Sequence, residues 1–192
     1  MFYALLTPFG EGVPDAVEDE SLIAAGALPW SRGRPLKKRP DVRVNLRDLG
    51  RPLPAVLNNA GAVPILSREL VNALDGARFE LFPVDASAVE TEYLAVNFLD
   101  KLKNTVDLEA SEVTLDPLST VVTFLEGFSK LVLQVDDPPP AFRIQEYDSF
   151  VILREDVGRR VVAARLPGLV CLPLNQVRLG VSAAPDASYC GL

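Results

Sequence analysis

Proline is the residue that most restricts how this chain can fold, because 16 of its 192 residues are proline. A proline fixes its own φ, lacks an N–H group and disrupts the interior of a helix or a central strand. The sequence therefore predicts short elements that are joined by turns and extended connections. Apolar residues make up 48% of the chain, so these short elements can still enclose a hydrophobic core without disulfides or metals.

Two stretches of the chain share one order of elements: a helix, a tight turn, and a strand that ends in apolar–proline–apolar. In the first stretch, Ser67 is the predicted N-cap of a helix that runs to Leu74 with Glu69 in its first turn. Gly76 ends this helix, because glycine readily adopts the left-handed conformation of a C-terminal turn. A strand over 79–84 follows and is expected to close near its proline.

The second stretch contains a helix predicted over 154–165, with Glu155 and Asp156 in its first turn. Pro167 and Gly168 stop it, and a strand over 169–174 follows. We hypothesise that the two stretches are similar helix–strand units that pack on one mixed sheet. Chance similarity between two amphipathic helix–strand segments is the alternative.

The remaining apolar runs complete an α+β fold: a mixed sheet, two similar helix–strand units and long Pro-rich loops. A turn is predicted over 58–61, and Trp30 is expected to anchor the long loop 10–41. We expect a single domain over 1–178 and a flexible tail over 179–192. Further strands are predicted at 2–6, 42–46, 93–98, 113–115, 121–125 and 131–135.

Composition excludes several kinds of chemistry. The chain has no histidine, which removes Ser-His-Asp and Cys-His catalysis and every zinc site that needs histidine. Cys171 and Cys190 are too few for a four-cysteine cluster, and we expect Cys171 to be an inert core thiol. We find no nucleotide-binding or calcium-binding motif, and so expect no cofactor and no metal. No membrane span or signal peptide is predicted either, so a cytoplasmic location is expected.

Charge is distributed unevenly along the chain, which has 19 basic and 26 acidic residues in all. Between Arg32 and Arg51 there are eight basic residues and two acidic ones. This segment is either a nucleic-acid contact or a solvated loop and edge strand whose cations discourage edge pairing. We favour the second interpretation and expect no nucleic-acid partner. The acidic remainder could attract a basic protein.

Two pairs of carboxylates are the candidate functional residues: Glu90 with Glu92, and Asp136 with Asp137. They could hold a metal or act as an acid–base pair, which would indicate a hydrolase or lyase. They could equally contact a protein partner, or simply be solvated.

Several short motifs resemble a family of bacterial immunity proteins that occur beside polymorphic toxins and type VI effectors, notably in Myxococcus and other proteobacteria. The motifs that carry the resemblance are 2–5, 64–67, 79–84, 93–98 with its asparagine, 106–108, Ser111, and 150–174 with Gly168 and Pro173.

The resemblance implies an α+β fold and a non-enzymatic role, in which the protein binds one cognate toxin in the cytosol and blocks it. The toxin would be a basic domain that is encoded nearby. Glu90, Glu92, Asp136 and Asp137 are then candidate toxin contacts. The alternative from a different class is a carboxylate-dependent, metal-assisted hydrolase or lyase that uses the same four residues.

Overall fold

Short strands dominate the computed structural model, which describes residues 1–6, 16–18, 30, 32–37, 39–46, 53–57, 63–86, 89–117, 124–147 and 149–179. The strands are β1 (Phe2–Leu6), β2 (Ala16–Glu18), β3 (Val42–Leu46), β4 (Val56–Leu57), β5 (Ile65–Ser67), β6 (Phe79–Asp85), β7 (Tyr93–Phe98), β8 (Lys101–Leu102), β9 (Glu112–Leu115), β10 (Leu125–Lys130), β11 (Ala141–Ile144), β12 (Val151–Arg154) and β13 (Val170–Pro173). The helices are α1 (Arg68–Ala73), α2 (Glu155–Ala163) and a 3-10 turn (Leu174–Gln176). In the part of the chain described, no helix has the length and apolar character needed to cross a membrane.

The described strands pair into three sheets. The order is β2-β3-β6-β7-β5-β4 in the six-stranded sheet and β13-β1-β12-β11-β8 in the five-stranded sheet, while β9 pairs with β10. Each larger sheet contains one parallel pair, β3 with β6 and β8 with β11, among antiparallel pairs. The α+β class with mixed sheets is therefore confirmed.

The two helix–strand units have the same topology. In the first unit, β5, α1 and β6 are consecutive, and both strands lie antiparallel on either side of β7. In the second unit, β12, α2 and β13 are consecutive and flank β1 in the same way. The register also agrees, because Ile65 and Phe82 oppose Ala95 in one unit, and Ile152 and Leu172 oppose Ala4 in the other.

The expectation that both units share one sheet is corrected by the structure, because each unit lies in its own sheet. The reason is that each unit completes itself with a different third strand, β7 or β1. The inner faces of the two sheets and the two helices meet in one central hydrophobic cluster, which includes Leu70, Leu94, Leu153 and Val161. The outer face of each sheet has a separate apolar cluster. The loop that contains Trp30 and Leu36 covers the six-stranded sheet, and β10 covers the five-stranded sheet.

Local sequence signals place the two helices. Ser67 Oγ accepts the N–H of Leu70 and caps α1, and Gly76 has φ +87 just beyond it, so both predictions for this helix are confirmed. In α2, Glu155 and Asp156 occupy the first turn and Val157 and Val161 are buried, as their four-residue spacing predicts. Helix α2 has nine residues against six in α1.

The strand prediction over 131–135 is wrong. Strand β10 ends at Lys130, and of the five residues only Leu133 forms an isolated bridge, to Val106. The physical reason is that Ser111 Oγ takes the N–H of Val132 in place of a ladder partner. Strand β6 also continues through Pro83, which lies where pairing with β7 ends and pairing with β3 begins at Val84.

The loop anchor is confirmed, since Trp30 is buried and its ring meets Phe82 edge-on at 5.4 Å between centroids. The predicted turn at 58–61, the part of the 121–125 strand before 124, and the tail from 180 onward lie outside the described residues. Leu179, where the expected tail begins, forms an isolated bridge to Phe128 of β10.

Candidate protein-binding surface

The β9–β10 hairpin covers the outer face of the five-stranded sheet and combines exposed apolar side chains with acidic ones. Among the described residues, five large apolar side chains are markedly exposed, and three of them belong to this region: Leu108, Leu115 and Phe124. Residues 107–130 contain five acidic residues and one basic residue: Asp107, Glu109, Glu112, Asp116, Glu126 and Lys130. Exposed apolar side chains and several carboxylates on the same short element are features that protein-binding surfaces combine.

A hydrogen-bonded turn fixes the start of β9. Asp107 Oδ1 accepts the N–H groups of Glu109 and Ala110, and Oδ2 accepts Gln134 Nε2 at 2.6 Å. These hydrogen bonds lower the pKa of Asp107, and the bond from the Ala110 N–H has the largest effect. The carboxylate therefore stays charged and keeps the turn closed. Ser111 Oγ then binds the neighbouring segment through the N–H of Val132 at 2.9 Å.

The inner side of the hairpin is buried, and this holds its outer side in place. Leu125 and Phe128 of β10 belong to the cluster on the outer face of the five-stranded sheet, and the Phe128 ring meets Tyr147 edge-on. The buried Glu146 joins β10 to the Thr105 segment: its carboxylate accepts the Thr105 N–H and its carbonyl accepts the Leu125 N–H, each at 2.8 Å. The exposed face is therefore built on a packed base.

The predicted carboxylates Glu90 and Glu92 lie just before β7, in the first unit. Glu90 is exposed, and Glu92 makes a two-pronged ion pair with Arg68 at the start of α1. The hydrogen bond from Arg68 lowers the pKa of Glu92. Because Glu92 is bound to a guanidinium and stays charged, it is poorly suited to act as a general acid or base at neutral pH.

The predicted carboxylates Asp136 and Asp137 lie elsewhere, in the exposed loop that precedes β11. This loop continues from Val132 and Gln134, which are bonded to the hairpin. Asp137 lies within electrostatic range of Arg154 at the start of α2, while Glu90 and Glu92 belong to the first unit. No hydrogen bond or ion pair joins the two pairs in the part of the chain described.

The carboxylate-dependent alternative requires acidic side chains that converge in one place. The described residues contain no group of three or more Cys, Asp or Glu side chains placed to hold an ion. An open cleft of about 440 Å³, continuous with solvent, lies between β1, β4, β5 and β12, and of the described residues lining it only Arg143 and Ser149 have polar side chains. Burial raises the pKa of the Cys171 thiol to about 12, so this cysteine is protonated and unreactive at neutral pH.

The described loop of the basic segment, 32–37, packs on the outer face of the six-stranded sheet through Leu36 and leads toward strand β3 of that sheet. This strand is flanked by β2 and β6, so the expectation that it is an edge strand is corrected. The preceding loop is fixed by the fully buried Asn97, whose Nδ2 donates to the carbonyl of Arg34 at 3.0 Å and to Glu80 at 2.9 Å. Glu80 also accepts the N–H of Leu36. In the described part of this segment five cations are exposed: Arg32, Arg34, Lys37, Arg39 and Arg43.

No protein-family model matches the chain, and no curated protein is significantly similar to it. The hairpin surface was not predicted from sequence. The signal that could have indicated it is the run of acids over 107–126, interleaved with Leu108, Leu115 and Phe124. What the sequence does not show is that these apolar side chains remain exposed after folding.

Proposed function

We propose that this protein is a non-enzymatic binding protein of the bacterial immunity type, which captures a basic toxin domain in the cytoplasm and occludes it. The hairpin surface, defined as residues 107–117 and 124–130, is the proposed contact. The toxin would be encoded beside this protein, as the family resemblance implies. Such a complex would bury roughly 1,600 Å² in total.

The observation that carries the proposal is that three of the five markedly exposed large apolar side chains among the described residues lie on one acidic hairpin. A partner that wraps around the hairpin would cover Leu108, Leu115 and Phe124, and a few such large side chains can dominate the affinity of an interface. The surrounding carboxylates would steer a basic partner toward it and speed association. Asp136 and Asp137, in the loop beyond Gln134, are further candidate contacts in the same proposal.

The experiment is to purify this protein together with the product of the neighbouring open reading frame and to measure association at several salt concentrations. A double charge reversal, Glu109→Lys with Glu126→Lys, should slow association about tenfold at low salt. Neither side chain makes an ion pair among the described residues, so folding should survive.

The matched control is Asp75→Lys with Asp85→Lys, which changes the net charge equally on exposed residues of the first unit. This control should slow association far less than the hairpin reversal. Equal slowing by both doubles would show that only net charge matters and would reject the hairpin as the contact. Absence of a complex, with no protection of cells that express the neighbouring product, would reject the function.

A further inference from the structure

Strand β9 is the outer strand of the hairpin, and among the described residues it pairs only with β10. Its two neighbours in sequence, the Asp107 turn and Pro117, lie at the ends of the strand and leave its long edge uncovered by described strands. Three of its four residues are exposed. An open edge of this kind can accept a further strand.

The hydrogen bonds of β10 show which groups of β9 point toward the open edge. Phe128 uses both its N–H and its C=O on Leu179, and Leu125 donates its N–H to Glu146, all on the side away from β9. In an antiparallel ladder, two residues that lie directly opposite each other either both point their main-chain N–H and C=O groups toward the neighbouring strand or both point them away from it. The β9 residues opposite these two β10 residues are Val113 and Leu115.

The alternation is verified at the next position, where the Asp116 N–H donates back across the hairpin to the carbonyl of Phe124 at 2.9 Å. Val113 and Leu115 therefore present two N–H and two C=O groups outward at a spacing of two residues, which is the spacing that an added strand uses. None of these groups has a hydrogen-bond partner among the described residues.

The side chains beside this edge specify the kind of strand it would accept. Leu115 is 47% exposed and would be covered by an apolar side chain placed opposite it. Glu112 and Thr114 are exposed on the other face, and Glu109 precedes the strand. These features suit an extended segment in which apolar and basic residues alternate.

We propose that the partner binds by strand addition: an extended, basic segment of the toxin pairs with β9 through the main-chain groups of Val113 and Leu115. This inference rests on the proposed function and specifies its binding mode. The occupant is a basic protein rather than a second copy of this chain, because a second β9 would bring the same carboxylates face to face.

The test measures amide hydrogen exchange in the free protein and in its complex with the product of the neighbouring open reading frame. The amides of Val113 and Leu115 should exchange rapidly in the free protein and become protected at least tenfold in the complex. This readout uses the unaltered chain, so it does not depend on whether a variant folds.

A paired substitution isolates the main-chain contribution. Leu115→Pro removes the outward N–H, which an edge strand tolerates, whereas Leu115→Ala removes only the side chain. We expect the proline variant to bind about tenfold more weakly than the alanine variant. Circular dichroism and thermal melting would establish that both variants retain the fold.

The outcomes separate the two proposals. A complex in which these two amides stay unprotected, or in which both variants bind equally, overturns strand addition while leaving the immunity function in place. Self-association of the free protein that Leu115→Pro abolishes would assign the edge to a second copy and overturn the proposed occupant. Failure to form any complex removes the proposed function itself.

Discussion

The two helix–strand units are alike in topology and strand register and different in the charge of the segments that cover them. Their strands share one register, in which Ala95 and Ala4 hold equivalent central positions and both are fully buried. Their outer covers have opposite charge: residues 30–46 carry six basic residues and one acidic residue, while residues 107–130 carry one basic and five acidic. The comparison separates a repeated topology from covering segments that diverge in charge.

The ion pairs at the starts of the two helices also differ in charge between the units. In the first unit, Glu92 before the central strand pairs with Arg68 at the first position of α1. In the second unit, the amino group of Met1 pairs with Glu155 at the first position of α2, at 3.2 Å. The position of the contact is kept and the signs of the two charges are exchanged. The geometry therefore depends on opposite charge and not on which side carries it.

The largest expected effect comes from forcing the second unit to resemble the first. Gly158 occupies the helix position that Val71 occupies in α1, and a Cβ at Gly158 would overlap the ring of Tyr3. The residue equivalent to Tyr3 in the first unit is Leu94. We expect Gly158→Val to destabilise the protein by about 3 kcal/mol through overpacking, measured by urea unfolding.

The double variant Gly158→Val with Tyr3→Leu recreates the combination of the first unit. It should recover about half of the lost stability or more, because neighbouring substitutions couple. Additive losses in the double variant would contradict the correspondence between the two units.

The units could be predicted from sequence because their signals are local. Ser67, Gly76 and the acidic first turn of α2 act within a few residues of the helix ends that they define. The separation of the units into two sheets could not be predicted in this way. It depends on β1 and β7 each completing a different unit, which is a long-range pairing choice.

The candidate surface could not be predicted for a related reason. Residues 131–135 have a good strand pattern, yet the paired strand is Leu125–Lys130, and the Val132 N–H bonds to the Ser111 side chain. The outward direction of the Leu115 main chain follows from contacts of Leu125 and Phe128 with Glu146 and Leu179. No local pattern encodes these contacts. Sequence spacing does not show which sheet a loop follows. It therefore could not show that the two predicted carboxylate pairs lie in different parts of the fold.

A second comparison concerns the contact between the two helices, in which a side chain of α2 donates hydrogen bonds to the end of α1 but α1 has no equivalent donor. Arg160 of α2 donates to the carbonyls of Ala73 and Asp75 at 2.9 and 2.7 Å and so closes the C-terminal end of α1. The equivalent position in α1 is Ala73, which cannot return the contact. Arg160→Met should therefore cost about 2 kcal/mol, the range of hydrogen bonds made by a charged donor.

The matched control is Arg159→Met, one residue earlier on the same helix. Arg159 is exposed and pairs with Glu155 four residues before it, a contact expected to contribute about 0.5 kcal/mol or less. Thermal and urea unfolding of both variants would measure the difference. Equal losses would mean that the bonds from Arg160 to α1 do not stabilise the packing of the two units.

The smallest expected effect distinguishes the first turns of the two helices by pH. Arg154 holds the pKa of Asp156 at about 2, below its ordinary value of 3.8, because Nε and Nη2 of the guanidinium donate to the two carboxylate oxygens at 2.7 and 2.9 Å. A lowered pKa in the folded state means that the contribution is complete above pH 4 and disappears as the pH falls toward 2. Asp156→Asn should thus lower the melting temperature by about 2 °C at pH 7 and leave it unchanged near pH 2. The effect is small because the ion pair is exposed.

At the equivalent position of α1, Glu69→Gln should have less effect at pH 7, since Glu69 forms no ion pair within the described residues. A loss for Asp156→Asn that persisted at pH 2 would show that helix packing, rather than the ion pair, responds to the substitution.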